Sequence, residues 1–314
     1  MAHFEDLNLT TPLRNAIDDL GFERPTPIQE QSFNVISAGK DVVGIAQTGT
    51  GKTFAYALPI LKTLPFSTQD NPRVLVLVPT RELGHQIFSS MEAYATYLPE
   101  ISMAATCGGI PIKPQIERLT KTTHIVIATP GRLIDLVKRK AIDIKQTDFL
   151  VLDEADEMVT TLKEGLDEII AELPKKKRTF LFTATLSGTG KQLVQNYMSK
   201  NVIQVSVDMK TVGNLGIDHQ YVVVEPIEKL NVLMHFLSSK DGERGIIFCK
   251  TKAAVNKLAK NLAIHKLSSG AIHGSLTQPI RDRIMGQFRE GYINILVATD
   301  LAARGIDVKE ISYV

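Results

Sequence analysis

The sequence predicts an α/β protein built from two doubly wound parallel sheets in tandem. Three observations carry this expectation. Short apolar runs alternate with longer amphipathic stretches, the alternation stops and restarts once, and 314 residues with 44% hydrophobic content suffice for two ordinary cores. The runs are apolar on both faces, as parallel strands are when helices cover the two sides of a sheet.

In the first series Val42–Ala46, Val74–Val78, Ile101–Ala105, Ile125–Ala128, Phe149–Leu152 and Phe180–Phe182 read as strands, and Val202–Val207 closes it. Phe54–Leu64, Arg81–Tyr97 and Gly131–Lys140 have helical spacing between them. Asp208–Gly216 (DMKTVGNLG) has the Gly/Asn composition of a linker. The expected division is therefore a first domain over 1–208, a linker over 209–217 and a second domain over 218–314. The second series comprises His219–Val224, Gly245–Cys249, Ser269–His273, Ile293–Ala298 and Ile311–Val314. The basic run Lys175–Arg178 precedes a strand and reads as a solvated loop.

Bulk properties narrow the function classes. A net charge of +2 means that any nucleic-acid surface is local. Cys107 and Cys249 lie far apart without CxxC spacing, which argues against a disulfide framework or zinc site. No apolar run reaches the length of a membrane span, and the N-terminus lacks the basic-then-apolar order of a signal peptide. A soluble, cytoplasmic monomer is expected.

Ala46–Thr53 reads AQTGTGKT, directly after a strand and before a helix. That context suits a phosphate-binding loop. Glycines such as Gly49 and Gly51 let backbone N–H groups turn inward, Lys52 neutralises phosphate charge, and the Thr53 hydroxyl is offered to Mg²⁺. The strict pattern begins with Gly, and here Ala46 holds that place. Asp153-Glu154-Ala155-Asp156 follows a strand, at the edge where ligands bind in parallel sheets. Asp153 can hold Mg²⁺ through water, and Glu154 can orient or deprotonate an attacking water. An acidic helix start favoured by the macrodipole would explain the tetrapeptide alone. Paired with Lys52 and Thr53 in one sheet, the carboxylates point instead to a nucleoside triphosphatase.

The ordered set AQTGTGKT, PTREL (Pro79–Leu83), GG (Gly108, Gly109), TPGR (Thr129–Arg132), DEAD (Asp153–Asp156) and TAT (Thr183–Thr185) resembles that of the DEAD-box RNA helicases. GFERPTPIQ (Gly21–Gln29) precedes it. IIFCKT (Ile246–Thr251), HGSLTQPIRDR (His273–Arg283), FREG (Phe288–Gly291) and ATDLAARGID (Ala298–Asp307) extend the likeness over nearly the whole chain. The resemblance implies two RecA-like domains, ATP and Mg²⁺ as cofactors and RNA as partner. It makes Gln29 the reader of adenine, with the Arg24 carbonyl and the Phe4 ring completing the pocket and Thr50 in the cradle. An amide that donates and accepts at once matches the edge of adenine. Asp307 corresponds to a ribose contact, and Arg304 to a residue whose partner stays open.

The same resemblance assigns Pro79, Thr80, Arg81, Gly109, Thr129 and Arg132 to an RNA backbone track. It adds Thr251, Gln278, Arg281, Gly291 and Thr299 from the second half. Helix N-termini and glycine-exposed amides hold phosphates without a sequence code, so strand choice would rest on shape and the 2′-OH. Taken singly, each is as well explained as a helix cap or a surface arginine. Asp156, Thr183 and Thr185 are expected to couple the two activities. TAT stands where the family usually has SAT, and the Thr183 hydroxyl is expected to keep the link to the DEAD carboxylates. The family's next motif supplies arginines to the γ-phosphate, and the chain ends at Val314 ahead of it. The resemblance therefore implies an incomplete second domain and weak turnover by this stretch alone. The rival readings are a DNA helicase of the same superfamily, an RNA clamp without efficient turnover, and a small-molecule kinase.

Overall fold

Apolar runs of four to six residues, too short to be buried as helices, form the strands of the first half. In the computed structural model, which describes residues 3–64, 69, 71–186, 188–207, 217–240, 242–303, 308 and 310–314, the chain divides into two units, Met1–Gly213 and Asn214–Val314. Of the expected linker, 209–216 lies outside the described residues, and Ile217 is exposed.

The strands of the first unit are β1 (Val42–Ile45), β2 (Val74–Leu77), β3 (Met103–Thr106), β4 (Ile125–Ala128), β5 (Phe149–Asp153), β6 (Arg178–Thr183) and β7 (Ile203–Ser206). Among the described residues they form one parallel sheet in the order β3-β4-β2-β5-β6-β1-β7. Its helices are α1 (Thr11–Asp19), α2 (Pro27–Ser37), α3 (Lys52–Thr63), α4 (Arg81–Tyr94), α5 (Ile112–Leu119), α6 (Pro130–Lys138), α7 (Ala155–Glu172) and α8 (Gly188–Tyr197). Side-chain alternation along the strands divides the core into two layers. Val74, Val76, Ile125, Ile127, Phe149, Val151 and Phe180 face α1–α4, where Leu13, Phe33, Phe54 and Ile87 pack on them. Leu75, Leu77, Val126, Leu150, Leu152 and Leu181 face Leu133, Met158, Leu166 and Leu193 of α6–α8.

The second unit holds α9 (Lys229–Ser238), β8 (Gly245–Phe248), α10 (Lys252–Ile264), β9 (Ser269–Ile272), α11 (Gln278–Arg289), β10 (Ile295–Ala298) and α12 (Asp300–Ala303). Its strands are parallel in the order β8-β10-β9. Ile272, Phe288 and Leu296 centre one core layer, and Val255, Leu262 and Val297 the other.

Two expected strands differ. His219–Val224 has no ladder partner among the described residues, and Tyr221 and Val223 are each 89% exposed. Apolar character alone does not make a strand where no neighbouring backbone takes its hydrogen bonds. Ile311–Val314 is reduced to a single parallel bridge, Tyr313 with Gly245, in which Ile246 N–H donates to the Tyr313 carbonyl at 3.1 Å. Several ends also shift by a few residues: the strand expected at Ile101–Ala105 starts at Met103, and α4 stops at Tyr94 instead of Tyr97. No helix among the described residues is long and apolar enough to cross a membrane.

Candidate nucleotide site and nucleic-acid face

Parallel strands carry all their C-terminal ends to one edge, so strand order alone decides which motifs become neighbours. Along that edge of the first sheet the order is GG after β3, TPGR after β4, PTREL after β2, DEAD after β5, TAT after β6 and AQTGTGKT after β1. Two groups of three motifs thus lie side by side, although the chain visits them in a different sequence.

In the nucleotide group, the loop leaves β1 with Ala46 buried and its N–H bound to the Thr183 carbonyl at 3.0 Å. Gly49 (φ 79°) and Gly51 (φ 85°) take the left-handed conformation that residues with a Cβ enter at a cost. A Cβ on Gly51 would also fall 2.2 Å from Gln29 Nε2. The loop is held from outside by α2. Thr26 Oγ1 donates to the Thr50 carbonyl at 2.8 Å, and Gln29 Nε2 donates to the Gly51 carbonyl at 3.2 Å. Gln29 Oε1 meanwhile accepts from Thr26 N–H at 2.9 Å in a capping box that starts α2 at Pro27.

Lys52 opens α3, is 7% exposed, and places Nζ 3.0 Å from Glu154 Oε1. Asp153 is 2% exposed; its Oδ1 accepts from Glu154 N–H at 2.9 Å and its Oδ2 from the Tyr56 hydroxyl at 2.9 Å. Burial pushes the Asp153 carboxyl up to about 6, against the opposing pull of the Lys52 ammonium. Glu154 itself has φ 53° and ψ 51°, a left-handed backbone that a non-glycine residue holds only under restraint from its surroundings. Restraint comes from the Glu154 N–H bond to Asp153 and the carboxylate bond to Lys52. Sequence reasoning missed Tyr56; the only signal was a lone hydroxyl in the otherwise apolar stretch Phe54–Leu61.

Two expectations are placed differently. Thr183 is buried and its hydroxyl donates to the Thr185 carbonyl at 2.8 Å, so it does not reach the DEAD carboxylates. Thr185 makes that link instead, weakly, to Asp156 Oδ2 at 3.5 Å. The turn after β6 carries the residue two positions on back out towards α7, while Thr183 is still inside the sheet. Phe4 is 6% exposed with its ring edge-on to Phe54 at 5.7 Å, so it is core before it is pocket. Phe22 also packs on Phe54, at 5.4 Å, and is 42% exposed. Arg24 is exposed. Asp307 and Arg304 lie outside the described residues.

In the second group, Thr80 caps α4 by accepting from Leu83 N–H at 3.3 Å. Thr129 precedes α6, and its hydroxyl accepts from Gly108 N–H at 3.1 Å, which ties TPGR to GG. Arg132 reinforces the tie through Nη2 to the Ile110 carbonyl at 2.8 Å, and buried Gln115 donates to the Cys107 carbonyl at 3.0 Å. Gly84 is the contact by which α4 reaches this loop: a Cβ there would meet Cys107 Sγ at 2.6 Å. Burial pushes the Cys107 thiol up to about 11. Pro79, Thr80, Arg81, Thr129 and Arg132 are part-exposed and Gly109 is exposed, so residues of three loops are accessible along one edge of the sheet.

In the second unit Thr251 caps α10, accepting from Ala254 N–H at 3.1 Å. Gln278 bonds to Asp282 at 2.8 Å on α11, and Arg281 Nη2 donates to the Ala302 carbonyl at 3.1 Å. Thr299 follows β10, and Gly291 ends α11 with φ 80°.

A glycine-rich loop between a parallel strand and a helix, with acidic residues closing a strand two places along the sheet, defines a phosphate-loop nucleotide-binding protein. The chain belongs to the DEAD/DEAH box helicase family, which it matches over residues 26–193, and residues 228–314 match the helicase conserved C-terminal domain. It is 39% identical over its full length to the ATP-dependent RNA helicase DeaD of Mycobacterium tuberculosis, covering 55% of that protein. Identity to the ATP-dependent RNA helicase DeaD of Escherichia coli is 37%, covering 50% of it. The chain thus spans about half the length of the curated relatives it matches. Among solved structures, a DEAD box protein from the hyperthermophile Methanococcus jannaschii aligns with a TM-score of 0.62 and 33% identity, over 98% of this chain and 83% of that one.

Proposed function

We propose that this chain is the core of an ATP-dependent RNA helicase, which binds ATP with Mg²⁺, grips an RNA backbone and parts short duplexes as ATP is hydrolysed. The observation that carries the reading is the single row of motifs along one sheet edge, in which the phosphate-loop group adjoins the GG–TPGR–PTREL group. Lys52, Thr53 and the loop amides would bind the triphosphate, and Glu154 would orient or deprotonate the attacking water. Thr53 and Asp153 would hold Mg²⁺, partly through water. A hydroxyl and a buried carboxylate are the hard oxygen donors that Mg²⁺ takes alongside substrate phosphates. When bound, the cation would neutralise charge developing on the transferred phosphoryl group. The test is ATPase with RNA or DNA of the same sequence: stimulation by RNA and not by DNA supports the reading, and equal stimulation points to a general nucleic-acid helicase.

Gln29 has capacity for the base as well as the loop. A side-chain amide carries two donor hydrogens and two acceptor lone pairs, and the loop and the capping box use one of each. The remaining pair fits the N6/N7 edge of adenine. Gln29→Ala should weaken ATP binding roughly tenfold with a much smaller effect on GTP, as loss of a base-specific hydrogen-bond pair implies. Wild-type protein that bound ATP and GTP equally in a fluorescent-nucleotide titration would refute the pocket.

The strand contacts are proposed to be helix starts, loop glycines and arginines of both units: Pro79, Thr80, Arg81, Gly109, Thr129, Arg132, Thr251, Gln278, Arg281, Gly291 and Thr299. Arg132→Ala and Arg281→Ala should each lower RNA affinity by a similar factor across sequences and flatten its salt dependence. Affinity measured at several salt concentrations decides this. A change of sequence preference with an unchanged salt slope contradicts a backbone grip.

A further inference from the structure

We propose that Tyr56 is a positioning residue, whose phenol holds the Asp153 carboxylate in the orientation that Mg²⁺-bound ATP requires. The proposal rests on the nucleotide-binding reading above and adds a residue outside the motifs.

Packing does not explain the hydroxyl. Tyr56 is fully buried in α3, between apolar neighbours, and its ring lies 5.2 Å from that of Phe182. A phenylalanine would fill the same space, and burying a hydroxyl is unfavourable unless it is paired. The partner is Asp153 Oδ2 at 2.9 Å, while Oδ1 accepts from Glu154 N–H at 2.9 Å. Both oxygens are therefore pinned and the carboxylate cannot turn, yet each oxygen keeps acceptor capacity for water on a cation.

Thr53 stands one helical turn before Tyr56, on the same face. Tyr56 thereby ties α3, the helix that carries Lys52 and Thr53, to the carboxylate that ends β5, a strand not adjacent to the β1 that leads into α3.

The consequence is specific to the cation. Loss of the phenol hydroxyl should leave the loop amides and Lys52 intact and weaken only the contribution of Mg²⁺ to ATP binding. The experiment is titration of the whole chain with a fluorescent ATP analogue, in Mg²⁺ and in EDTA, for wild type and Tyr56→Phe. The gain in affinity conferred by Mg²⁺ should fall about tenfold in Tyr56→Phe, as expected for a lost hydrogen bond to a charged group, while affinity in EDTA stays the same. In an Asp153→Asn background the same substitution should produce no further change in the Mg²⁺ gain. Wild type carrying 3-fluorotyrosine at position 56 keeps the hydroxyl and the fold, and its ¹⁹F resonance should move with ATP and Mg²⁺ but not with ATP in EDTA. An undiminished Mg²⁺ gain in folded Tyr56→Phe, or a ¹⁹F resonance indifferent to Mg²⁺, overturns the proposal. Wild type that binds the analogue under neither condition overturns the nucleotide reading instead.

Discussion

Glu154→Gln should bind ATP and RNA at least as tightly as the wild type and lose turnover by about two to four orders of magnitude, the usual range for removing a general base. Glu154 begins α7 at the end of β5, beside the buried Asp153, with its carboxylate on Lys52 at 3.0 Å. Glutamine has the same shape, so the strained backbone at φ 53° and the N–H bond to Asp153 should survive. What disappears is the ability to accept a proton from water. The charge of the Lys52 partner disappears with it, and an ammonium released from a carboxylate at short range is free for the triphosphate. Affinity should therefore hold or rise while the chemical step stalls. Single-turnover hydrolysis under saturating RNA, with nucleotide affinity measured in parallel, separates the two. A hydrolysis rate equal to wild type would remove Glu154 from the mechanism.

Lys52→Ala should raise the ATP dissociation constant by at least about 100-fold, since a hydrogen bond from the ammonium to a phosphate is worth about 1.5–3 kcal/mol and its charge is lost as well. Lys52 is 7% exposed, with Glu154 in direct contact and Asp153 close enough for the ammonium to oppose the rise that burial imposes on its carboxyl. Without the ammonium, an incoming triphosphate meets two carboxylates and no side-chain cation in the loop. The double variant Lys52→Ala/Glu154→Gln should recover part of the loss, because one of the repelling charges is gone. Calorimetric titration of both variants tests this. Equal ATP affinity in wild type and Lys52→Ala would show that the loop amides alone bind the phosphates.

Much of this is legible in the amino-acid sequence. The two-sided apolar runs Val74–Leu77, Ile125–Ala128 and Phe149–Leu152 could be placed almost to the residue, since a buried parallel strand has no polar alternation to obscure it. The phosphate loop was equally legible, because AQTGTGKT joins residue type to context: strand before, helix after. Strand ends were less so, as at Met103, where the ladder starts two residues later than the apolar run suggests. His219–Val224 failed for a related reason: its pattern is that of a strand, but pairing is a property of the neighbour.

The sequence by itself determined the alternation of strand and helix, the local chemistry of each motif and the family whose motif order it shares. It did not determine which motifs touch. Chain order runs from the phosphate loop through PTREL, GG and TPGR to DEAD and TAT, whereas the sheet sets TAT beside the phosphate loop and joins PTREL to TPGR. Only the folded sheet decided that Lys52 meets Glu154 across 102 positions of chain, that Thr185 and not Thr183 reaches Asp156, and that a tyrosine hydroxyl inside α3 finds Asp153. The physical reason is the same in each case. Backbone hydrogen bonding between parallel strands fixes register and order without regard to distance along the chain, and buried polar groups then take the partners this order brings within reach.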